Sequence, residues 1–293
     1  MRRKRFSLLG TISASVLTAI AGLCFAAPLV ELMVGVDPES VDLFARLTPP
    51  SAEHPLGTDE LGRDLLARLL RGGQVSLLVG VIAAIAACGI GAAIGLVAGF
   101  LGGKVDALLM RLADGVISLP LLPLLIVLAV VDLTKLGLSP DAANSEAVLM
   151  GRLVILIALV GWPGVARLVR AATLSLRERE FVEAARALGF GPMRIAFRHI
   201  LPNTLAPILV AMTLAVGNVI LFESVLSFLG LGIRPPTPSW GNMLTGAQEL
   251  IWEAPMLAVW PGMLIFLTVL SVNILGDELR KYFDPRTLKV PGK

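Results

Sequence analysis

Long apolar stretches separated by shorter polar segments dominate the hydrophobic pattern of this chain. A helix needs about 20 apolar residues to cross the hydrocarbon core of a bilayer. Six stretches approach that length, at 7–30, 74–101, 106–131, 152–170, 204–230 and 254–276. The fourth has the shortest uncharged core, but Arg152 and Arg167 at its ends can reach the membrane surface. The pattern predicts an all-α membrane protein with six transmembrane helices.

The composition agrees with this interpretation. Hydrophobic residues make up 56% of the chain and charged residues only 16%, with a mean hydropathy of +0.82, whereas soluble domains carry roughly 25% charged residues. Aromatic residues are few and are not interleaved with basic ones, so nothing indicates a nucleic-acid partner. Cys24 and Cys88 lie inside apolar stretches and are expected to be packing residues, not a disulfide or a metal site.

The basic N-terminus, Arg2–Arg5, precedes the first apolar stretch as it would in a signal peptide. The stretch is longer than the 7–15 apolar residues of a signal core, so we expect an uncleaved signal anchor. The pattern predicts four segments: 1–36 as the N-terminal cytoplasmic tail and first transmembrane helix, 37–73 as an outer segment, 74–279 as a five-helix core, and 280–293 as a cytoplasmic C-terminal tail.

Within the outer segment, Asp59–Leu70 places leucines at helical spacing among charged residues. This spacing predicts a short amphipathic helix. The helix could lie on the outer membrane surface, cover a pore mouth, or simply pack on neighbouring helix ends.

The distribution of lysine and arginine predicts the orientation, since these residues concentrate on the cytoplasmic side of membrane proteins. With the N-terminus inside, six spans place 17 of the 25 basic residues inside and 7 outside, with Arg111 within a span. Both termini and the polar segment Arg177–Asn203 are therefore expected in the cytoplasm.

Three glycines, Gly91, Gly95 and Gly99, follow one another at four-residue spacing in the second stretch. Such a row lets another helix backbone approach closely. We expect it to be a packing surface, for a partner helix in this chain or in another.

Charged residues inside the spans have two interpretations each. Arg111 and Asp114 lie three residues apart on one helix face, where they could form a local ion pair or an inter-subunit gate contact. Glu223 lies deep in the fifth stretch, where an uncompensated carboxylate is costly. It could line the pathway or a gate, or it could pair with an arginine or a polar helix.

Pro120 and Pro123 are expected to kink or loosen the third span.

The polar segment Arg177–Asn203 is far longer than a helix connection needs to be. Its first part consists of helix-forming residues, Gly189 can end a helix in the left-handed conformation, Pro192 can open a second helix and Pro202 is expected to end it. We call this segment of two short helices joined at Gly189 the elbow; its two helices are its arms. Small Ala184 and Ala185 on its surface would let the elbow enter a groove. The segment predicts a docking element for a protein outside the membrane; the alternative is a loop that packs only on its own chain.

The spacing Glu183-Ala184-Ala185, Gly189 and Leu201-Pro202 resembles the cytoplasmic "EAA" loop of permease subunits of bacterial ABC importers. The form RHILP resembles the dipeptide/oligopeptide branch. HPLGTDELGRDLLARLLRGGQVSLLVG, SFLGLGIRPPTPSWGNML and PGMLIFLTVLSVNILGDELRKYFDPR are similar to the second, "C-type", permease of peptide and nickel importers. The resemblance covers about residues 40–286, and the outer connection 132–151 is longer than that branch usually has.

This resemblance implies a type I ABC importer permease with the MetI-like transmembrane fold. It implies that the chain forms half of the translocation pathway for dipeptides or oligopeptides and is not itself an enzyme. The implied partners are a homologous permease in a heterodimer, two ABC ATPase subunits, a periplasmic or lipid-anchored substrate-binding protein and the lipid of the bacterial inner membrane. The residues implied to contact the ATPase are Glu183, Ala184, Ala185, Arg186, Gly189 and Pro202.

The chain has no G-x-x-x-x-G-K-[ST] motif, so ATP and magnesium are expected on the ATPase subunits and no cofactor on this chain. Its two histidines, His54 and His199, suggest neither a metal cluster nor a catalytic triad. Within the family the alternative is import of nickel, a metallophore or another small solute. Outside it, the alternative is a channel or membrane sensor that works without an ATPase.

Overall fold

The structure, a computed structural model, describes residues 7–35 and 37–283, and helices make up the regular secondary structure of this part of the chain. No strand forms there. The α-helices are α1 (Leu8–Phe25), α2 (Ala27–Val34), α3 (Leu65–Leu101), α4 (Gly103–Ser118), α5 (Leu121–Ala129), α6 (Pro140–Ala143), α7 (Glu146–Leu176), α8 (Glu180–Ala187), α9 (Pro192–Ile195), α10 (Leu201–Phe228), α11 (Trp240–Glu249) and α12 (Met256–Phe283).

Six traverses cross the molecule, as the hydrophobic pattern predicts. Five are single helices long and apolar enough to span a membrane: α1, α3, α7, α10 with the short helices before it, and α12. The remaining traverse is α4 with α5, which are bent by 86° relative to each other. The backbone N–H of Ser7 donates to Glu278 Oε2 at 3.0 Å, so α1 begins where α12 ends, as an even number of traverses requires.

The bend between α4 and α5 lies at Pro120, one of the two prolines expected to disturb this span. Leu119 is extended and ends α4, because the residue before a proline is biased away from the helical conformation. Pro123 lies in the first turn of α5. The N–H groups of a first turn have no acceptor within the helix, so the N–H that proline lacks costs no helical hydrogen bond.

The outer segment differs from the expectation of a separate amphipathic helix. Residues 59–64 form a tight turn, and Leu65–Leu70 are the first turns of α3, which is continuous to Leu101. Asp64 starts the helix by accepting the Ala67 N–H at 2.8 Å. In the turn, Asp59 Oδ2 lies 2.7 Å from Arg63 Nε and 3.3 Å from Arg68 Nε. The segment is therefore a charged cap on the end of a transmembrane helix.

The glycine row of α3 packs against α7 of the same chain, so its partner helix lies in this chain. A Cβ on Gly91 would lie 2.6 Å from the Trp162 carbonyl oxygen, and one on Gly99 would lie 2.8 Å from the Arg170 carbonyl oxygen. Because real Cβ atoms do not approach so closely, only glycine permits this separation of the two helices. The contact fixes α7, and with it the polar segment that follows Leu176.

Candidate coupling site

Helix α8 carries the E-A-A residues and begins directly beyond α7. Its charges complement the helix dipole, with Glu180 and Glu183 in the first turn and Arg186 in the last. It ends at Gly189, which has the predicted positive φ, +78°. The Gly189 N–H donates to the Arg186 carbonyl at 2.9 Å and the Phe190 N–H to the Ala185 carbonyl at 3.1 Å. This pair of bonds is a Schellman motif, which reverses the chain within two residues.

The second arm of the elbow opens at Pro192, as expected, but Pro202 does not end it. Helix α9 leads into a π-helical turn, Ala196–Ile200, which runs directly into α10. In this widened turn the Leu201 N–H donates to the Ala196 carbonyl, and the Asn203 side chain donates to the His199 carbonyl at 2.7 Å. The extra residue in the turn accommodates the proline that an ordinary α-helical ladder would exclude. Pro202 therefore lies at the start of α10, inside a continuous helical rod.

The elbow is anchored to the transmembrane bundle by its buried side. Val182, Ala185, Ile195 and Ile200 are buried and pack in one cluster with Val169 of α7. This corrects the expectation for Ala185: of the two alanines only Ala184 is exposed, while Ala185 faces the bundle. A helix places neighbouring residues 100° apart, so one of two adjacent alanines can face the bundle while the other is exposed.

A stacked group inside the elbow holds its two arms together. The rings of Phe190 and His199 are parallel to within 21° with centroids 5.9 Å apart, and the Arg194 guanidinium lies 4.3 Å from the Phe190 centroid. Sequence reasoning missed this group, although Phe190 follows the Schellman glycine at a position where an apolar contact is common.

The opposite side of the elbow is exposed and unusually apolar for a polar segment. Leu188 is 74% exposed and Met193 is 69% exposed, and Phe181 and Phe197 are also exposed. Glu183 and Arg186 lie on the exposed surface of α8, and neither makes an ion pair among the described residues. We call this face, formed by Phe181, Glu183, Ala184, Arg186, Leu188, Met193 and Phe197, the elbow face. Exposed apolar residues next to unpaired charges are typical of a protein interface.

The predicted gate residues of α4 do not pair with each other. Asp114 pairs with Arg167 of α7, both largely exposed, and Asp106 pairs with Arg170 of α7, with 2.6 Å between Arg170 Nη2 and Asp106 Oδ2. The Arg111 guanidinium is exposed and has no hydrogen bond or ion pair within residues 7–35 and 37–283. The local Arg111–Asp114 pair is therefore wrong; the ion pairs join α4 to the helix that carries the elbow.

Glu223 is completely buried between α3, α10 and α11. Its carboxylate accepts the hydroxyl of Ser76 at 2.9 Å and that of Ser227 at 2.7 Å. The Ser76 hydroxyl oxygen also accepts the backbone N–H of Trp240 at 3.2 Å. This network favours the structural interpretation of Glu223, with Ser227 one turn further along α10 and Ser76 of α3 as partners, and with no arginine bonded to it within the described residues.

Comparisons with known proteins identify the family of this chain. The family model described as "Binding-protein-dependent transport system inner membrane component" matches residues 91–289. The dipeptide transport system permease protein of Alkalihalophilus pseudofirmus is 43% identical over 241 residues, which are 82% of this chain and 75% of that protein. The nickel transport system permease protein of Escherichia coli (strain K12) is 37% identical over 269 residues, which are 92% of each protein.

The fold has a counterpart among solved structures. An inward-facing conformation of the MetNI methionine ABC transporter aligns with a TM-score of 0.57 at 20% identity, over 74% of this chain and 96% of that one. The family match covers the glycine row, the elbow and the last four traverses, and the relatives extend it over most of the chain. The chain therefore belongs to the inner membrane components of binding-protein-dependent transport systems, the permease subunits of ABC importers.

Proposed function

We propose that this chain is one of two homologous permeases of an importer for dipeptides or oligopeptides, and that the elbow face is its contact with an ATPase subunit. The observation that supports this most directly is the elbow itself. It projects an exposed apolar and charged face while its other side is locked into the bundle. A loop that packed only on its own chain would not leave Leu188 and Met193 exposed.

The chain's role in this proposal is mechanical. The continuous rod Pro192–Phe228 joins the elbow to the fifth traverse, and the Asp106 and Asp114 pairs join α4 to α7. A displacement of the elbow is therefore transmitted to α4, α7 and α10 together. Nucleotide binding by the ATPases must favour one of two packings by a few kcal/mol to change which state dominates.

The other subunits of the importer follow from the same proposal. Two ABC ATPase subunits bind ATP and magnesium, and this chain binds neither. A periplasmic or lipid-anchored binding protein delivers the substrate to the outer side. The chain lies in the bacterial inner membrane with both termini in the cytoplasm, since that orientation places most basic residues inside.

Nickel or metallophore import is the second candidate, because the nickel permease of Escherichia coli aligns over 92% of both chains. Peptide import has the support of the dipeptide permease and of the di/tripeptide transport system permease protein of Pseudomonas aeruginosa, which is 42% identical over 246 residues. Proteoliposomes containing the complete importer separate the two candidates when they are offered labelled trialanine and nickel. Uptake of trialanine that requires ATP supports the proposal, and uptake of nickel alone contradicts it.

The coupling role is tested by Glu183→Lys, which reverses a charge on the elbow face. We expect weaker pull-down of the ATPase subunits and lower uptake, both normalised to the amount of permease in the membrane. The matched control is Glu146→Lys, an exposed acid in the first turn of α7 at the opposite end of the molecule. Equal docking and uptake in both variants would contradict the assignment of the elbow as the coupling element.

A further inference from the structure

Two arginines share a pocket at the end of the molecule opposite the elbow. The pocket has a volume of about 290 Å³ and lies among the ends of α5, α7 and α10 and the long connection between α5 and α7. Arg152 and Arg234 both line it. We propose that this pocket is a carboxylate-binding site, in which Arg152 and Arg234 hold the free carboxylate of the transported solute at the outer mouth of the pathway.

Arg152 is fixed in position by the end of α5. Its Nη2 donates to the Val131 carbonyl at 2.9 Å and also to the Ala129 carbonyl, and Leu128 O lies 3.5 Å away. Ala129 is the last residue of α5 and Val131 lies just beyond it, so Arg152 binds the carbonyl end of this helix. All three contacts use one nitrogen, and the other nitrogens of the guanidinium make no hydrogen bond within the described residues. Arg152 is thus positioned by the protein and keeps donors for a ligand.

Arg234 follows the glycine-rich turn after α10 and is exposed. Its one hydrogen bond in the described part of the chain joins Nε to the Gly230 carbonyl at 3.3 Å, a long distance for such a bond. Neither arginine forms an ion pair with a carboxylate of the described residues. Two such guanidiniums in one concave site suit the planar, bidentate geometry of a carboxylate.

A carboxylate, that of Asp132, also lines the pocket, but its hydrogen bonds are with Thr134. Its Oδ1 accepts the Thr134 N–H at 2.9 Å and the Thr134 hydroxyl at 2.8 Å. These bonds and nearby Lys135 hold the pKa of the Asp132 carboxyl below its ordinary value, so it is ionised at neutral pH. It offsets one of the two positive charges and leaves the pocket net positive, as a site for a single carboxylate should be.

The pocket is small, which restricts its ligand. Its volume lies at the lower end of the range for small-molecule sites, about 300–1,000 Å³, and its walls mix apolar Leu149 and Leu231 with the two arginines. It fits the terminal residue of a peptide, with the side chain on the leucines and the carboxylate on the arginines. This inference rests on the proposal that the chain imports peptides.

The test compares trialanine with its C-terminal amide, in proteoliposomes that contain the complete importer. We expect Arg234→Gln to raise the KM for trialanine about tenfold, the usual effect of losing one charge-assisted hydrogen bond, and to leave the KM for the amide unchanged. Arg234→Lys should retain part of the preference. Arg46→Gln, an exposed cation of the outer segment that does not line the pocket, should change neither KM.

Each outcome separates the hypotheses. The same binding protein serves every variant, so its own preference cancels when the acid-to-amide ratio is compared with that of the wild type. An equal loss of both peptides in Arg234→Gln would mean that the arginine contacts a protein partner, which would overturn the site. Unchanged KM values for both peptides in Arg234→Gln would overturn it too. If the wild-type importer transported neither peptide, the proposed peptide function would fail; the pocket proposal fails separately, when the wild type transports both and the ratio does not move.

Discussion

Gly189 is the residue on which the shape of the elbow depends most directly. Its φ of +78° is available to glycine at no cost, and nothing lies within 4 Å of where a Cβ would be. A side chain there would meet no obstacle and would act through the backbone alone. The left-handed conformation costs a residue with a Cβ roughly 1–2 kcal/mol, with β-branched residues worst.

We therefore predict that Gly189→Val weakens ATPase docking and uptake while the permease remains inserted and paired with its sister permease. Gly189→Ala should have a smaller effect in the same direction. Gly191→Val is the matched control, because Gly191 lies two residues away with a φ of −66° and with the same open space around it. The measurements are ATPase pull-down and uptake per permease. A loss of equal size in Gly191→Val would mean that bulk, and not backbone conformation, is the cause.

Neighbouring residues in the elbow show how far sequence reasoning reaches at this scale. The conformation of Gly189 could be predicted, because a glycine after a helix-forming run has a specific backbone role. The burial of Ala185 could not, because nothing in a short polar segment tells which face of an eight-residue helix turns toward the bundle. The Phe190–His199 stack depends on a chain reversal that brings together residues nine positions apart.

Helix ends were harder to predict than helices. The apolar stretches located every traverse, because bilayer burial leaves a strong compositional signal. The beginning of α3 at Leu65 was missed because it is decided by the Asp64 cap and by the Asp59–Arg63–Arg68 cluster, which lie outside the apolar stretch. The continuity of α9 with α10 was missed because a π-turn accommodates the proline. In both cases local hydrogen bonding set the end of the element.

The packing of α3 on α7 gives a prediction at the scale of elements. A Cβ on Gly95 would meet the Ala166 carbonyl oxygen and would lie 2.9 Å from the Val169 Cβ. Gly95→Val should separate the two helices and destabilise the protein by about 1–3 kcal/mol, the usual cost of overpacking. Gly89→Val, in the same helix but with nothing within 4 Å, should cost far less. Thermal unfolding of both variants in detergent checks this, and equal loss in the two would show that the close approach does not matter.

At the scale of the whole molecule, the fold fixes which segments share an end. The elbow, the start of α1 and the end of α12 lie together, since Ser7 contacts Glu278 and since Arg280 and Leu168 line one cavity with Pro207. The connection between α5 and α7 and the charged turn before α3 lie at the other end. The fold determines which segments share an end of the molecule. The orientation, that is, which end faces the cytoplasm, is inferred from the distribution of basic residues.

The orientation can be tested by labelling single cysteines at the two ends. Cys24 and Cys88 are free but buried, so they should react slowly with membrane-impermeant thiol reagents. Leu188→Cys on the elbow face should be labelled only in inside-out vesicles, and Asp141→Cys in the outer connection only in right-side-out vesicles. Both positions are exposed, so a failure to label would reflect sidedness and not burial.

Labelling of both from one side would contradict the six traverses. One membrane crossing, that of α7, separates the two positions, so they must lie on opposite sides. Labelling of each from the opposite side would keep the fold and invert the protein, placing the elbow beyond the reach of any cytoplasmic ATPase.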